Sequence, residues 1–298
     1  TLPRSGAQFR VNQNPAPREF TTPAGIRAWV TAQRAGGSRI GFVPTMGFLH
    51  EGHLRLVDAA RAVSDVVVMS IFVNPLQFGP TEDLSRYPRD LPRDRALAAG
   101  RGVDALFLPD VSVMYPPGSD TRVVPGPAAD RWEGAARPGH FAGVLTVVAK
   151  LFHLVSPDVA VFGQKDAQQV ALIRRMAQDL DWPVALVVAP TTREPDGLAL
   201  SSRNSYLSAA DRRDAVGLSA ALRAAHDAWR RGETDGRRLE AVARRALEVY
   251  PGVRPEYISA VEPDALAPVN TVGAGCLMLV AARVGSTRLQ RRRGARPW

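Results

Sequence analysis

Two histidines on either side of a glycine form the part of this chain best suited to chemistry: His50 and His53, with Gly52 between them. Apolar residues within 39–43 predict a strand before them, and apolar residues at helical spacing predict a helix over 53–62. Where a strand passes into a helix, free backbone N–H groups and the helix dipole favour anions such as phosphate. Imidazoles at that point can donate hydrogen bonds to phosphoryl oxygens. We therefore predict phosphate chemistry at this junction.

The local sequence favours a ligand site over a zinc site. Gly52 has no Cβ, so a phosphate or a flat purine ring can approach the backbone closely. Pro44 and Gly47 shape a turn that brings the loop over a ligand. A zinc protease needs H-E-x-x-H, whereas His50 and His53 are three apart across a glycine. Either histidine alone is more readily structural, and the functional interpretation rests on the pair in its strand-to-helix context.

The composition is that of an ordinary globular protein of 298 residues, with 45% hydrophobic and 22% charged residues. No apolar run approaches the roughly 18 residues of a membrane span. The longest, at residues 144–155, is broken by Lys150 and His153 and predicts a buried helix. Residues 1–17 contain no apolar segment, so we expect no secretory signal and no membrane partner. The single cysteine, Cys276, excludes an internal disulfide and favours a cytoplasmic location.

The formal net charge of +9 comes almost entirely from arginine, and much of the excess lies in the C-terminal tail. The tail arginines are Arg288, Arg291, Arg292, Arg293 and Arg296. No aromatic residue interleaves with them before Trp298, so the stacking platform of a single-strand binder is missing and we expect no nucleic-acid partner. Lysine offers a compact point charge that follows a phosphate, whereas arginine offers a rigid fork. The only two lysines, Lys150 and Lys165, are therefore candidates for phosphate contact.

Strand and helix patterns alternate through the first two-thirds of the chain. Predicted strands lie at residues 39–43, 65–73, 103–108, 159–162 and 184–188, and predicted helices at 53–62, 91–99, 143–155 and 167–180. This alternation predicts an α/β fold with a doubly wound, Rossmann-like parallel sheet over residues 1–191. Residues 190–197 are rich in turn formers and predict a linker. Beyond it, helices at 209–231 and 236–249 and strands at 257–261 and 276–281 predict a smaller α+β domain over 192–298 that closes over the active site.

Polar residues also follow the predicted strand at 65–73. Asn74 and Gln77 carry neutral amides, which suit recognition of a hydroxyl or a carboxylate. Because the carboxyl ends of parallel strands face one crevice, both side chains can line a pocket. The alternative for this segment is an Asn-Pro turn with a solvated glutamine.

The strand at 159–162 runs into a charged turn that opens the next predicted helix. Asp166 is a favourable N-cap, and Lys165 would project beside the free N–H groups of the helix, which is again a phosphate site. Gln169 lies one turn further on, on a face that can meet Gln77. A capped helix with a surface lysine is the alternative.

Ser201, Ser202 and Arg203 follow the linker and combine two hydroxyls with a guanidinium. Such a set is a mobile anion clamp that can close over a bound nucleotide. A polar loop before a helix is the alternative. Arg137 and His140, in a turn before a helix, can contact a carboxylate, although a structural turn explains them equally well.

Several runs, in this order along the chain, resemble those of the pantothenate synthetases, or pantoate–β-alanine ligases. This family belongs to the superfamily of nucleotidylyltransferases and class I aminoacyl-tRNA synthetases. The matching runs are V-P-T-M-G-F-L-H-E-G-H, S-I-F-V-N-P-L-Q-F, R-P-G-H-F-A-G-V, F-G-Q-K-D-A-Q-Q and D-G-L-A-L-S-S-R-N-S-Y-L. The resemblance covers about residues 20 to 290.

The resemblance implies an ATP-dependent ligase of pantoate and β-alanine that uses Mg²⁺, forms a homodimer and works in the cytoplasm. The positions it implies for ATP are Met46, Gly47, Phe48, Leu49, His50, Glu51, Gly52, His53, Gly163, Gln164, Lys165, Asp166, Thr192, Leu200, Ser201, Ser202 and Arg203. Those implied for pantoate and β-alanine are Pro44, Thr45, Asn74, Gln77 and Gln169. The catalytic positions are His50, His53, Lys165, Ser201, Ser202 and Arg203, with His53 as the proton donor. The metal ligands are left open.

The family reaction has two steps. The carboxylate of pantoate attacks the α-phosphorus of ATP, pyrophosphate leaves and a pantoyl adenylate remains. The amine of β-alanine then attacks the mixed anhydride and AMP leaves. The protein need not supply a covalent nucleophile, because positioning and hydrogen-bond donors can lower both barriers.

The sequence departs from the family pattern at three places. Gln164 stands where many members have glutamate, so a carboxylate is not required there. Ala167 replaces a common aromatic residue, which we expect to alter packing near pantoate. After Leu289 an arginine run replaces an Asp-Asn pair and a last apolar strand, so we expect a different edge on the small domain.

Two other functions fit parts of the sequence. A nucleotidylyltransferase that leaves the nucleotide on its product would share His50 and His53 but should lack the paired Gln77 and Gln169. An arginine-rich nucleic-acid-binding module on a degenerate synthetase-like fold would bind RNA with a steep salt dependence.

Overall fold

A six-stranded parallel sheet forms the centre of the larger part of the protein. The computed structural model describes residues 15–80 and 82–294, so residues 1–14 and Arg296 of the segments considered above lie outside the described residues. The strands are β1 (Arg18–Phe20), β2 (Ile40–Thr45), β3 (Val66–Ile71), β4 (Ala105–Phe107), β5 (Val159–Gly163) and β6 (Ala185–Ala189). They are ordered β1-β4-β3-β2-β5-β6, and every neighbouring pair is parallel. The predicted fold class is confirmed.

Helices pack on both faces of this sheet. They are α1 (Pro23–Ala35), α2 (Glu51–Arg61), α3 (Leu91–Gly100), α4 (Val111–Met114), α5 (Glu133–Ala136), α6 (His140–Val155) and α7 (Ala167–Asp179). Successive residues of a central strand belong to opposite cores, because side chains alternate along a strand. Phe42 packs in the core that includes α1 and α6, and Val43 packs in the core that includes α2 and α3. This burial on both faces explains why the strands are almost continuously apolar.

The order of the strands reverses between β2 and β5. From β2 the chain continues to β3 and β4 on one side, and it then crosses to β5 on the other side. The loops after β2 and β5 therefore lead away from each other, to α2 and α7, and open a crevice between them. Open α/β sheets bind ligands at such a switch point. His50 follows β2 and Lys165 follows β5, so both lie at this point.

The buried helix predicted from residues 144–155 is confirmed as part of α6, whose side chains are buried along most of its length. β1 and α1 were not predicted. α1 nevertheless has a clear start signal, because the Thr22 hydroxyl accepts a hydrogen bond from the Gly25 N–H at 3.2 Å and Pro23 occupies the first turn. Within the described residues, no helix is both long and apolar enough to cross a membrane.

The C-terminal third forms a separate antiparallel sheet, which we call the small sheet, in the order β7-β8-β9. The strands of this sheet are β7 (Val253–Val261), β8 (Leu277–Val284) and β9 (Thr287–Gly294). The helices of this part of the chain are α8 (Ala209–Ala215), α9 (Gly217–Arg230) and α10 (Gly236–Leu247). The prediction of one continuous helix over 209–231 is wrong. The helical run is interrupted at Val216, directly before Gly217, a weak helix former against which the ring of Tyr250 packs so closely that a Cβ would overlap it.

Two departures from the family pattern lie in or against the small sheet. β9 pairs with β8 from Thr287 to Gly294, so the arginine run still forms an edge strand. Ala167, at the start of α7, belongs to one apolar cluster with Leu266 and with Val261, Leu277 and Leu279 of the small sheet. The alanine that replaces the family's aromatic residue at position 167 therefore lies where α7 packs against the small sheet. The domain boundary at residues 191 and 192 stays a prediction.

Candidate active site

A cleft opens at the carboxyl ends of β2, β3 and β5, and we call it the switch-point cleft. The sequence-predicted residues that line it are Pro44, Thr45, Met46, His50, His53, Asn74, Gln77, Lys165, Asp166, Gln169, Ser201, Ser202 and Arg203. They come from four separate segments of the chain. The fold thus brings the four predicted constellations to one place.

The two histidines cap the N-terminus of α2 reciprocally. The Gly52 N–H donates to Nδ1 of His50 at 3.1 Å, and the His50 N–H donates to Nδ1 of His53 at 3.3 Å. The two rings lie 4.1 Å apart between centroids. Because Nδ1 accepts a hydrogen bond in each ring, the proton of the neutral imidazole is on Nε2. Both rings line the cleft with Nε2–H as the donor.

Both histidines are neutral at ordinary pH. Removal from water and the positive charge of Lys165 lower the pKa of His50 to about 4. The same loss of solvent, together with His50 and Lys165, holds the pKa of His53 well below its usual value. A neutral imidazole with its proton on Nε2 is a hydrogen-bond donor that needs no change of charge to contact a phosphate. Lys165 lines the same cleft as both rings.

Gly52 is required by the cap itself. A Cβ at this position would lie 2.8 Å from Cε1 and 2.9 Å from Nδ1 of His50. Any larger residue would therefore push the His50 ring off the helix N-terminus. The glycine that the sequence suggested for close approach of a ligand also makes room for the capping imidazole.

A buried carboxylate holds the loop that leads to the histidines. Asp94 of α3 is 1% exposed and accepts the N–H groups of Phe48 at 2.8 Å and Leu49 at 2.6 Å. Gly47 and Phe48 have φ of +82° and +49°, which is unfavourable for Phe48. Arg93 reinforces the hold by donating to the Leu49 carbonyl at 2.9 Å. α3 therefore fixes the strained loop between β2 and α2.

A hydrogen-bond network fixes the amide of Gln77. Asn74 is 1% exposed, and its Nδ2 donates to Oε1 of Gln77 at 3.0 Å and to the Gly143 carbonyl at 3.1 Å. Its Oδ1 accepts from the hydroxyl of Tyr115 at 2.8 Å. Nε2 of Gln77 donates one N–H to Sδ of Met46, another residue that lines the cleft, at 3.1 Å. Asn74 thus positions Gln77, whose second N–H is a donor suited to a hydroxyl or carboxylate oxygen.

Thr45 is likewise committed to the protein. Its hydroxyl donates to the Ser70 carbonyl at 2.8 Å and accepts from the Gly47 N–H at 3.2 Å. The hydroxyl therefore shapes the end of β2, although the residue lines the cleft.

The other wall of the cleft is formed by the start of α7 and by the segment after the predicted linker. Lys165 lies with Nζ 4.0 Å from Oδ2 of Asp166. Asp166 occupies the N-cap position of α7, as predicted, but its side chain makes no cap hydrogen bond. Ser201 accepts from the N–H of Arg203 at 3.3 Å, and the Arg203 guanidinium lies 3.5 Å from Asp83.

Some predicted ATP positions lie outside the described lining of the cleft. They are Gly47, Phe48, Leu49, Glu51, Gly52, Gly163, Gln164, Thr192 and Leu200. Glu51 pairs with Arg55 at 3.2 Å, and the Gln164 Oε1 accepts the N–H of Thr191 at 3.3 Å. Leu200 donates its N–H to the carbonyl of Thr192 at 3.0 Å. Their contacts with a nucleotide stay predictions.

The cleft has lining residues that were not predicted from the sequence. They are Phe72, Tyr87, Glu133, Arg137, His140, Phe141, Val144, Val147, Val148, Leu151, Phe162 and Gln168. Arg137 and His140 are the exception, because the sequence offered them as contacts for a carboxylate, with a structural turn as the equal alternative. The apolar ones lie mostly on α6, whose hydrophobic pattern predicts burial but does not distinguish a core face from a cleft wall. Glu133, which opens the short α5, and Tyr87, which lies in an irregular segment, carried no sequence signal.

Lys150 has a different place from Lys165. Its ammonium donates to the carbonyl of Met114 and lies 5.8 Å from the centre of the Tyr115 ring. Within the described lining of the cleft the lysine is Lys165, so only one of the two lysine candidates can meet a ligand there.

Two neutral imidazole donors and a lysine lie together at the switch point of a parallel sheet, a combination suited to an enzyme that acts on a phosphorylated substrate. The model of the pantoate-beta-alanine ligase family matches residues 18–290. Pantothenate synthetase of Roseiflexus sp. (strain RS-1) is 54% identical over 272 residues, which are 91% of this chain and 97% of that protein. The chain belongs to the pantoate–β-alanine ligase family.

Solved structures of this family resemble the chain over most of its length. A crystal structure of pantothenate synthetase from Thermus thermophilus has a TM-score of 0.89 and 49% identity, covering 94% of this chain and 100% of that chain. The ligase from Francisella tularensis, complexed with beta-gamma ATP and beta-alanine, has a TM-score of 0.76 and 32% identity, covering 94% and 98%. The protein is thus an enzyme that joins pantoate to β-alanine.

Proposed function

We propose that the switch-point cleft performs this ligation at the expense of ATP, through a pantoyl adenylate. The observation that carries the proposal is that His50, His53 and Lys165 line one cleft together with Gln77 and Gln169. The first three are donors suited to phosphoryl oxygens, and the two amides are suited to a hydroxy acid. Their juxtaposition supports attack of a carboxylate on a nucleotide phosphate.

The shape of pantoate supports the assignment of its pocket. Pantoate carries a carboxylate and two hydroxyls around a carbon that bears two methyl groups. The cleft offers the Gln77 and Gln169 amides on a polar side and an apolar wall of α6, including Val144 and Val147, on another. Burial of the methyl groups against this wall would contribute about 0.8 kcal/mol per carbon.

We propose that the protein acts by positioning and by donating hydrogen bonds. A carboxylate oxygen of pantoate bonds to the α-phosphorus while the bond to the pyrophosphate oxygen breaks. The Nε2–H groups of His50 and His53 and the ammonium of Lys165 stabilise the charge that develops on the phosphate oxygens. The amine of β-alanine then bonds to the acyl carbon, loses a proton, and AMP departs with the former carboxylate oxygen.

The residues present fit an Mg²⁺ ion that arrives with ATP. Among the described residues no three acidic, histidine or cysteine side chains are grouped as a metal site. Mg²⁺ commonly keeps waters and binds through one or two carboxylates plus substrate phosphates. Asp166 lines the cleft beside Lys165 and is the carboxylate we assign to such contact, since Asp94 accepts backbone N–H groups. Bound Mg²⁺ would neutralise charge on the triphosphate.

The finer assignments rest on the family. We propose that the chain forms a homodimer in the cytoplasm, as the resemblance implies. We also propose that residues 192–298 form a domain that closes over the cleft. In support, Ser201, Ser202 and Arg203, which lie in this part, line the cleft together with residues of the parallel sheet.

Isotope transfer tests the adenylate route. We expect pantoate labelled with ¹⁸O in its carboxylate to deliver one labelled oxygen to AMP, because that oxygen bridges carbon and phosphorus in the intermediate. Mass spectrometry of AMP after one turnover measures the transfer. Label recovered only in pantothenate would contradict attack by pantoate on the α-phosphorus.

A further inference from the structure

A short segment, residues 131–137, lies between the small sheet and the switch-point cleft. Trp132 has a φ of +49°, its Nε1 donates to the Leu266 carbonyl at 2.9 Å, and its ring lies 5.4 Å from that of Tyr257. Gly134 packs so closely that a Cβ would overlap the Ala129 carbonyl. Strained backbone of this kind persists only where the surroundings hold it. The segment therefore has little freedom of its own.

An ion pair ties this segment to the last strand of the small sheet. Nη1 of Arg288, on β9, donates to both carboxylate oxygens of Glu133 at 2.5 and 2.6 Å. Nε of Arg288 donates to Glu256 at 2.6 Å. The side chains of Arg288 and Glu133 are only 18% and 5% exposed. Burying such charges costs desolvation energy, so a buried pair is better evidence for fixed geometry than for stability.

The other end of the segment holds the backbone of Gln77. Arg137 donates to the Glu82 carboxylate from Nε at 2.8 Å and from Nη2 at 2.5 Å. Its Nη2 also donates to the Gln77 carbonyl at 3.1 Å. His140 donates from Nδ1 to the same carbonyl at 2.8 Å, and its Nε2 accepts from Arg137 at 3.0 Å. The backbone carbonyl of Gln77 thus accepts from two side chains, and one of them, Arg137, is the last residue of the 131–137 segment.

We propose that Arg288 is a positioning residue for the acid substrate. By pairing with Glu133, it holds residues 131–137 in the place from which Arg137 orients Gln77. The small sheet then takes part in recognition of the hydroxy acid without touching it. This inference rests on the proposed role of Gln77 in binding pantoate.

Steady-state kinetics of three variants test the proposal. We expect Arg288→Gln to raise the pantoate KM about tenfold, with the ATP KM and kcat within about threefold, because a displaced Gln77 loses ground-state contacts. Arg283→Gln is the matched control. Arg283 is 58% exposed and pairs with Glu256 at 3.2 Å. Arg283→Gln therefore removes a positive charge that pairs with Glu256, as Arg288 does, and leaves the pair of Arg288 and Glu133 in place. It should leave both KM values within about twofold.

Gln77→Ala separates the inference from the function on which it rests. It should raise the pantoate KM at least as much as Arg288→Gln. An unchanged KM in Gln77→Ala would overturn the role of Gln77 itself. A raised KM in Gln77→Ala with an unchanged KM in Arg288→Gln would overturn the positioning role alone.

A double-mutant cycle distinguishes positioning from general loss of stability. If Arg288 acts through Glu133, Glu133→Gln combined with Arg288→Gln should raise the pantoate KM no further than the larger single effect. Effects that multiply would contradict the proposed route. Should Arg288→Gln fail to fold, Arg288→Lys keeps the charge without the planar fork, and an intermediate rise in the pantoate KM supports the proposal. A wild-type KM in Arg288→Lys, with Gln77→Ala impaired, would reject it.

Discussion

Replacing His53 by alanine should lower kcat by about two to three orders of magnitude, the loss typical for a donor aimed at developing charge. The pantoate KM should change little, because the affected contact is with phosphate. We expect the loss of kcat because the helix cap holds the neutral His53 ring in the tautomer that carries its proton on Nε2, and alanine removes this donor. Steady-state kinetics with saturating Mg²⁺ and ATP measure the effect.

His53 also accepts the N–H of His50, so alanine removes a cap as well as a donor. Two amides separate these roles. His53→Asn keeps an acceptor near the Nδ1 position and should preserve the melting temperature, yet be as slow as alanine. His53→Gln can reach the Nε2 position with an N–H and should recover part of kcat. Full activity in His53→Asn would mean that the histidine acts only through the cap.

The second large effect is expected at Lys165. Lys165→Ala should lower kcat by about two orders of magnitude or more, since the variant loses a point charge that shares the cleft with both imidazoles and that we assign to a phosphate oxygen. Lys165→Arg should remain strongly impaired, because a planar fork does not replace a compact ammonium that follows the phosphate. Kinetics of the two variants at saturating substrates measure this.

The other lysine of the chain supplies a matched control. Lys150 donates to the Met114 carbonyl and lies outside the described lining of the cleft. Lys150→Arg should therefore leave kcat within about twofold while Lys165→Arg does not. Equal effects at the two positions would contradict the assignment of Lys165 to the phosphate.

The parts of the fold that follow from local pattern were predictable. Alternating apolar runs and helical periods specify the parallel sheet, and the rule that ligands bind where strand order reverses places His50 and Lys165 together. The interruption at Val216 was not predicted, because the single glycine that follows it is compatible with a helix. The ring of Tyr250, distant in sequence, packs where a side chain at 217 would lie.

The residues that hold the site residues in place could not be predicted from the sequence. Asp94 looks like an ordinary surface residue of a helix, but the fold buries it against the N–H groups of Phe48 and Leu49. Glu133 and Arg288 are 155 residues apart, and no local pattern relates them. Asn74 was placed in a pocket from its position after a strand, and the structure adds that its amide is used to orient Gln77. Such long-range partners depend on tertiary packing.

ATP–pyrophosphate exchange with pantoate and Mg²⁺, in the absence of β-alanine, tests the central claim most directly. The account predicts exchange of labelled pyrophosphate into ATP that depends on pantoate, because the acyl adenylate forms before the amine is needed. His53→Ala and Lys165→Ala should lose this exchange. Absence of exchange in a folded wild-type protein that binds ATP and pantoate would contradict an adenylate formed in the switch-point cleft.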